Sequence, residues 1–170
     1  MRSLITTSIA LLSILLSSCQ GPGEAFEERA YYRAGSAQQL ARFIQMEGEW
    51  RVVGGDHAQE ATHLYRTIAN GTVVVETAFP GEPHEMITVV HLDGPNLVMT
   101  HYCAAGNQPH MVAEHPSGDK VYFRFVGASD LSDPKAPHMR DAIYHFISRD
   151  RVDSIWSYWE GDEAVSEMKI

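Results

Sequence analysis

Apolar and polar residues alternate along most of the chain after Gly48, and a period of two is typical of β-strands. The alternating segments are short, rich in Val, Ile, Thr and aromatic residues, and about ten in number. They span residues 49–53, 61–69, 72–79, 84–92, 97–103, 111–114, 120–126, 142–148, 153–160 and 164–169. The pattern therefore predicts a mainly β protein.

Turn-forming dipeptides separate the predicted strands. The pairs at 70–71, 93–94 and 161–162 are typical of tight hairpins, and only the connection over 127–141 is too long for one. Sequential strands joined by short turns, with no helix between them, indicate an antiparallel meander. Because a sheet of about ten strands tends to curl, and closure removes its exposed edges, we expect an antiparallel up-and-down β-barrel.

One short helix is predicted before the barrel. Ser36 and Gln39 form a capping-box pattern, and apolar positions then recur with helical spacing at Ala37, Leu40, Ala41 and Ile44. Gly48 ends the pattern. Residues 20–35 are polar, contain Gly and Pro and show no sustained period, so we expect a linker there. The barrel domain is therefore predicted to cover residues 36–170.

The hairpin formed by residues 84–92 and 97–103 carries the densest set of potential ligand side chains. A two-residue loop pairs Leu92 with Pro95 and a four-residue loop pairs Leu92 with Leu97, yet both registers put the same residues on the same face. Directly opposed side chains then lie roughly 5 Å apart at Cβ. One face carries His84, Met86, Thr88 and Val90 beside Leu97, Met99, His101 and Cys103.

These side chains are compatible with a ligand cavity or with a metal centre. Sulfur and imidazole donors select Cu(I) or Zn(II), but the sequence lacks paired Cys or His at the spacing usual in metal motifs. Met and Cys are also common core residues. We therefore favour a cavity without a resident cofactor, and keep copper or zinc as the alternative. The predicted lining residues are His84, Met86, Met99, His101 and Cys103.

Three further polar residues are candidates for ligand contact. Asn107 and Gln108 lie in a compact polar turn that could rim the mouth of a cavity, although turn formation explains them equally well. Arg124 lies between Phe123 and Phe125 and points away from both, toward either the lumen or the solvent. In a lumen, its guanidinium group would pair with an acidic ligand group.

The hairpin around the turn at 70–71 has one polar face and one apolar face. Tyr65 is expected opposite Glu76, on a face that also carries His63 and Thr67. The other face carries Leu64, Ile68, Val73, Val75 and Phe79. We therefore expect Glu76 on the outer face of the barrel.

Residues 1–18 have the composition of a secretory signal, with one Arg, no acidic residue and an apolar run too short for a permanent membrane span. The run ends in Leu-Ser-Ser-Cys at 16–19, which resembles the lipobox of bacterial lipoproteins. The resemblance implies cleavage before Cys19, acylation of Cys19 with chains such as palmitate, and, because Gln20 is not Asp, export to the outer membrane. We expect residues 19–35 to tether the domain to the bacterial envelope, facing the periplasm.

The chain carries 13 basic and 22 acidic residues, a formal net charge of −9, and loss of Arg2 with the signal makes it −10. An acidic surface disfavours nucleic acids and polybasic binding to anionic lipid. We therefore expect no nucleic-acid partner, and membrane contact through the anchor only. With Cys19 acylated, Cys103 is the only thiol of the chain.

A short helix leading into Glu-Gly-Glu-Trp at 47–50, followed by a meander, resembles the calycin superfamily of lipocalins, fatty-acid-binding proteins and nitrobindin-like barrels over residues 36–170. In these families a Gly-x-Trp motif packs its Trp across the closed end of the barrel, and Gly48 and Trp50 match it. Nitrobindin-like members bind haem through a His on a late strand. Here the last His is His145, which could serve as the ligand, and the two final predicted strands contain none, so haem is kept only as a further alternative.

The sequence has no nucleophile elbow, phosphate-binding Gly loop or His-Glu-x-x-His motif. The favoured prediction is a lipid-anchored, lipocalin-like protein that binds a small, partly apolar molecule in its lumen. Two alternatives stay open. One is a metal- or thiol-dependent enzyme that uses the His, Met and Cys side chains, and the other is a structural barrel with a fully packed interior.

Overall fold

The computed structural model of the protein describes residues 22–53 and 62–169. Within them the chain forms one α-helix, α1 (Pro22–Ile44), and ten strands. The strands are β1 (Gly48–Arg51), β2 (Thr62–Ile68), β3 (Val73–Ala78), β4 (Met86–Asp93), β5 (Asn96–Tyr102), β6 (Gln108–Ser117), β7 (Lys120–Ser129), β8 (His138–Ser148), β9 (Arg151–Glu160) and β10 (Glu163–Lys169). A 3-10 turn (Ala69–Gly71) joins β2 to β3.

All ten strands belong to one antiparallel sheet, in the order β1 to β10. This confirms the predicted mainly β, up-and-down barrel of about ten strands with a helix before it. The sheet curls into a half-barrel. In the described part of the chain each strand pairs with its neighbours in sequence, and β1 does not pair with β10.

Helix α1 begins at Pro22 and not at Ser36, so the segment predicted as a linker is helical from Pro22 onward. Proline suits the first turn of a helix because its missing N–H needs no partner there. The Glu, Ala and Arg residues that follow are good helix formers. Ser36 consequently lies inside the helix, where it is buried, instead of capping it.

The C-terminal half of α1 covers one end of the barrel. Its buried positions Ser36, Gln39, Leu40 and Phe43 fall on one helical face. Gln39 donates a hydrogen bond from Nε2 to the Gly118 carbonyl at 3.0 Å, which ties the helix to the β6–β7 turn. The Phe43 ring meets three others edge-on, with centroid distances of 6.1, 5.0 and 5.2 Å to Phe123, Tyr144 and Phe146.

Alternation along the strands places every second side chain inside the barrel. In β5, Leu97, Met99 and His101 are buried, whereas Tyr102 is exposed. Leu97, Val121, Phe123 and Ala142 have no exposed surface at all. Burying such side chains supplies the main stabilisation of the sheet, at roughly 25 cal/mol per Å² of apolar surface.

Strands β6, β7 and β8 are longer than predicted, because irregular register interrupts their period of two. The register of β6 on β7 shifts between His110 and Met111, and that of β8 on β9 shifts between Met139 and Ala142. Gly127 adopts a φ of 157°, which favours glycine. A rule of strict alternation therefore misses the strand residues beyond such a bulge. The predicted loop over 127–141 therefore shrinks to the residues between Ser129 and His138.

No helix in the described ranges is both long enough and apolar enough to cross a membrane. The signal segment 1–18 and the acylation site Cys19 lie outside the described residues, so the predictions for them stay predictions.

Candidate functional site

The β4–β5 hairpin has one of the two expected registers, with Leu92 opposite Leu97 and a final pair of Asp93 and Asn96. Thr88 and His101 are a directly opposed pair, and both are buried. The face that carries Thr88, Val90, Leu97, Met99 and His101 is therefore the inner face of the barrel, as predicted.

The side chains predicted to line a single cavity separate into different surroundings. Met99 is 1% exposed and lies in the packed core. His101 and Met86 line a small inner cavity. Cys103 is half-buried against the core. Burial raises the pKa of the Tyr158 hydroxyl, and the charges of Cys103 and Glu160 raise it further.

His84 is not on a strand, contrary to its predicted position on the inner face. Strand β4 begins at Met86, and His84 lies in the exposed turn before it, with its ring centroid 4.5 Å from that of Phe79. This turn is held by backbone hydrogen bonds from Glu82 to the Phe79 carbonyl and from Glu85 to the Glu82 carbonyl. The predicted strand over 84–92 therefore began two residues too early.

Arg124 points outward. Its side chain is 48% exposed, and its Nε lies 3.0 Å from a carboxylate oxygen of Glu114. The predicted contact of this guanidinium with a lumenal ligand is therefore not supported by its position. Asn107 is buried and donates from Nδ2 to the Pro137 carbonyl at 2.9 Å, whereas half-buried Gln108 lies at the start of β6.

A carboxylate that the sequence prediction placed outside lies in the interior. Glu76 is 6% exposed, and its Oε1 accepts hydrogen bonds from His63 Nδ1 at 2.6 Å and from the Tyr65 hydroxyl at 2.7 Å. Its Oε2 has a longer contact, 3.4 Å, with the Tyr144 hydroxyl. The register of Tyr65 opposite Glu76 is as predicted, but the polar face is turned inward. Three donors satisfy the carboxylate there, which makes its burial tolerable.

The ionisation of Glu76 and its partners follows from these contacts. Burial raises the pKa of the Glu76 carboxyl, but the hydrogen bonds and charge of His63 and the hydrogen bond of Tyr65 lower the pKa by more, so the net shift is downward. Burial, and then the charge of Glu76, raise the pKa values of Tyr65 and Tyr144 well above the ordinary range. The carboxylate therefore stays ionised, and both hydroxyls stay protonated donors.

Two buried imidazoles, His63 and His101, are held through Nδ1 and leave Nε2 without a hydrogen-bond partner among the described residues. His63 must donate from Nδ1, because a carboxylate only accepts. His101 Nδ1 lies 3.0 Å from Thr88 Oγ1. Burial lowers the pKa of His101 while the charge of Glu76 opposes that shift, and the net effect favours the neutral ring.

Three adjoining spaces lead from the helix-covered end of the barrel to these imidazoles. The first, which we call the cleft, has about 600 Å³ and is lined by Arg42, Met46, Trp50, Phe146, Arg149 and Val152, among others. The second has about 50 Å³, shares Met46, Trp50 and Val152 with the cleft, and reaches Tyr65, Glu76 and Tyr144. The third, the inner cavity, has about 20 Å³ and lies beyond His63 and Glu76, which line both inner spaces.

The cleft combines apolar walls with two arginines. Trp50 is fixed at its edge by a hydrogen bond from Nε1 to the Met46 carbonyl at 2.6 Å. The Arg42 guanidinium lies 5.6 Å from the ring centroid of Phe146. Among the described residues neither Arg42 nor Arg149 forms an ion pair with a carboxylate, although Asp119 lines the same cleft and instead meets His145 at 3.3 Å.

The residues present do not fit a haem or a zinc site of the usual kinds. His145 is the late-strand His that the calycin resemblance would require, yet it contacts Asp119 at the surface while its neighbour Tyr144 faces the interior. In the part of the chain that the structure describes, no three His, Cys, Asp or Glu side chains are arranged to hold a metal ion.

Sequence reasoning missed the Glu76 network although part of its signal was present. His63, Tyr65 and Glu76 share one face of the β2–β3 hairpin, with Tyr65 directly opposite Glu76, so their hydrogen bonding to one another could be read from the register. A third partner, Tyr144, comes from β8 and is 68 positions away in sequence. No local pattern indicates that contact.

No protein-family model, no curated protein and no solved structure matches this chain.

Proposed function

We propose that this protein binds a small, partly apolar molecule at the helix-covered end of its barrel, and that an acylated Cys19 tethers it to the bacterial envelope. The cleft of about 600 Å³ carries the proposal. Binding sites for small molecules typically occupy about 300–1,000 Å³. The two inner spaces, of about 50 and 20 Å³, have room only for a protruding ligand group, a few waters or an ion.

The cleft walls favour a ligand with an apolar body and an acidic group. Trp50, Met46, Phe146 and Val152 offer apolar surface. Arg42 is positioned by its packing on Phe146. Neither Arg42 nor Arg149, which also lines the cleft, has a carboxylate partner in the described residues. In a chain of net charge −9, these two guanidinium groups give the cleft two positive charges that can meet an acidic ligand group.

A fluorescence titration with two probes tests this proposal. Anilinonaphthalene sulfonate carries an apolar body and a sulfonate, whereas N-phenylnaphthylamine has a similar body without charge. We expect both probes to bind once per chain. The double variant Arg42→Gln/Arg149→Gln should weaken the sulfonate probe about 10-fold or more, about 1.4 kcal/mol, and leave the neutral probe nearly unchanged. Arg33→Gln, an exposed change on the same helix, is the matched control.

A second variant tests the location independently of charge. Ser148 is exposed and lines the cleft, so Ser148→Trp should fill the cleft and abolish binding of both probes without lowering the unfolding midpoint. Ser132→Trp, in an exposed loop, should bind both probes like the wild-type chain. If Ser148→Trp also binds both probes normally, the cleft is not the binding site and the proposal fails. A wild-type chain that binds neither probe favours the structural barrel.

A further inference from the structure

The inner cavity holds chemistry that binding in the cleft does not use. Its walls include the imidazoles of His63 and His101, the thioether side chains of Met86 and Met139, and the rings of Phe79 and Trp156. These residues come from five different strands and the turn after β3, so the sheet itself brings them together. At about 20 Å³, the cavity has room for one ion or one water.

Two ring nitrogens at this cavity lack partners. His63 is 6% exposed and His101 is 4% exposed, and the Nε2 atom of each has no hydrogen-bond partner among the described residues. Buried polar atoms in folded proteins are normally paired. An imidazole that carries its proton on Nδ1 presents a lone pair at Nε2, which is the atom that coordinates a metal. The Glu76 carboxylate requires a proton on Nδ1 of His63, and the Thr88 hydroxyl, which can accept, is compatible with the same tautomer in His101.

Both imidazoles are supported from behind, as metal ligands usually are. His63 donates from Nδ1 to the Glu76 carboxylate at 2.6 Å, and His101 Nδ1 lies 3.0 Å from Thr88 Oγ1. A carboxylate or another acceptor at the second ring nitrogen fixes the tautomer and orientation of a metal-binding His and raises its basicity. The negative charge of Glu76 would also offset a single positive charge in the cavity.

We propose that the inner cavity binds one Cu(I) ion through Nε2 of His63, Nε2 of His101 and the thioether sulfurs of Met86 and Met139. Thioether and imidazole donors together select a soft, monovalent ion. A zinc site would require further thiolate, imidazole or carboxylate ligands, and no group of three such side chains is arranged for a metal in the described residues. The apolar rings of Phe79 and Trp156 add walls without hard ligands.

The proposal is tested by anaerobic competition between the full chain, purified in detergent, and the coloured Cu(I) complex of bathocuproine disulfonate. We expect the wild-type chain to withdraw one Cu(I) per chain and the fluorescence of Trp156, which lines the cavity, to fall in proportion. Zn(II) supplied alone should not bind there. Met86→Leu and Met139→Leu should each weaken Cu(I) binding about 10-fold or more.

The methionine variants separate coordination from folding, because Met-to-Leu exchanges conserve volume and are well tolerated in cores. Met99→Leu is their matched control, since Met99 is buried in the core but does not line the cavity. His101→Gln should abolish Cu(I) withdrawal, whereas His110→Gln, on a half-buried His whose ring contacts Thr100 and Ser129, should not change it. Arg42→Gln/Arg149→Gln should bind Cu(I) normally, which separates this site from the cleft.

Two results would overturn the proposal. One is a folded wild-type chain that withdraws no Cu(I) from the competitor. The other is withdrawal that Cys103→Ser removes and that Met86→Leu and Met139→Leu leave unchanged, because the ion would then be held by the thiol.

Discussion

Glu76 is a buried, charged residue that holds part of the barrel interior together. Its carboxylate is the common acceptor for His63, Tyr65 and Tyr144, so removing it leaves buried donors without partners. We expect Glu76→Ala to lower the free energy of unfolding by about 3–5 kcal/mol. Glu76→Gln keeps an acceptor oxygen and should cost less, about 1–3 kcal/mol. Chemical denaturation monitored by circular dichroism measures both changes.

The control for this prediction is another paired glutamate of the same sheet. Glu114 forms an ion pair with Arg124 at 3.0 Å, but its side chain is 50% exposed. Exposed pairs contribute about 0–1 kcal/mol, so Glu114→Ala should be nearly neutral. If Glu76→Ala and Glu114→Ala destabilise the chain equally, Glu76 does not hold the interior network together.

His101 gives the stability of the barrel a pH dependence. Burial lowers its pKa in the folded chain from the ordinary value of 6.5, with Glu76 opposing the shift. The unfolded chain therefore binds a proton more readily, and the stabilising contribution is present above pH 6.5 and is lost as the pH falls through the folded value. Glu76 acts in the same sense at lower pH, below its ordinary value of 4.5.

We accordingly expect the free energy of unfolding to decrease between pH 7 and pH 5, by at most about 1.4 kcal/mol per pH unit for one proton. In His101→Gln this slope should flatten, whatever the stability of the variant at pH 7. His91→Gln removes a half-buried His whose Nδ1 contacts the Leu92 carbonyl, and it should keep the wild-type slope. Urea titrations at several pH values provide the comparison. Equal slopes in the wild type and His101→Gln would contradict the assignment.

At the scale of elements, α1 packs on the sheet through the ring of Phe43. Phe43 is 1% exposed and meets Phe123, Tyr144 and Phe146 edge-on. Phe43→Ala would leave a cavity beneath the helix, and we expect it to cost about 3–5 kcal/mol of unfolding free energy. In Phe43→Ala, amide hydrogen exchange should speed up more in the C-terminal half of α1 than in β4 and β5, relative to the wild-type chain.

The helix control is Gln38→Ala, an exposed change that should stay within about 0.5 kcal/mol of the wild type. If Phe43→Ala is equally neutral, α1 is an accessory to the barrel and does not close its end. If Phe43→Ala instead loosens the helix, both probes should bind the cleft more weakly, because Arg42 and Met46 would no longer be held in place.

The elements that were predictable are those fixed by local rules. The strands and their sequential pairing follow from a period of two and from turn dipeptides such as the one at 93–94, which act within a few residues. The start of α1 was not predictable from a capping pattern, because Ser36 and Gln39 are buried on the helix face instead. Inside the barrel Glu76 also meets Tyr144 from β8, and no local rule contains that contact.

At the scale of the whole molecule, the chain is acidic, and its cleft carries two arginines. A net charge of −9 disfavours contact with anionic lipid and nucleic acid, while Arg42 and Arg149 place two positive charges at the cleft. An acidic domain of this kind has no electrostatic reason to stay at a membrane surface. We therefore propose that covalent acyl chains, and not surface charge, hold the domain at the membrane.

This dependence is testable with the two cysteines of the chain. Each buried methylene of an acyl chain contributes about 0.8 kcal/mol, so loss of the acylated residue should release the domain. In bacteria that express the full chain, we expect Cys19→Ala to move the protein from the membrane fraction to a soluble fraction and to remove the acyl mass seen by mass spectrometry. Cys103→Ala, which removes the half-buried thiol at the core, should stay in the membrane fraction. If Cys19→Ala stays there too, the resemblance of residues 16–19 to a lipobox does not describe this chain, and its membrane contact must come from the barrel or the helix.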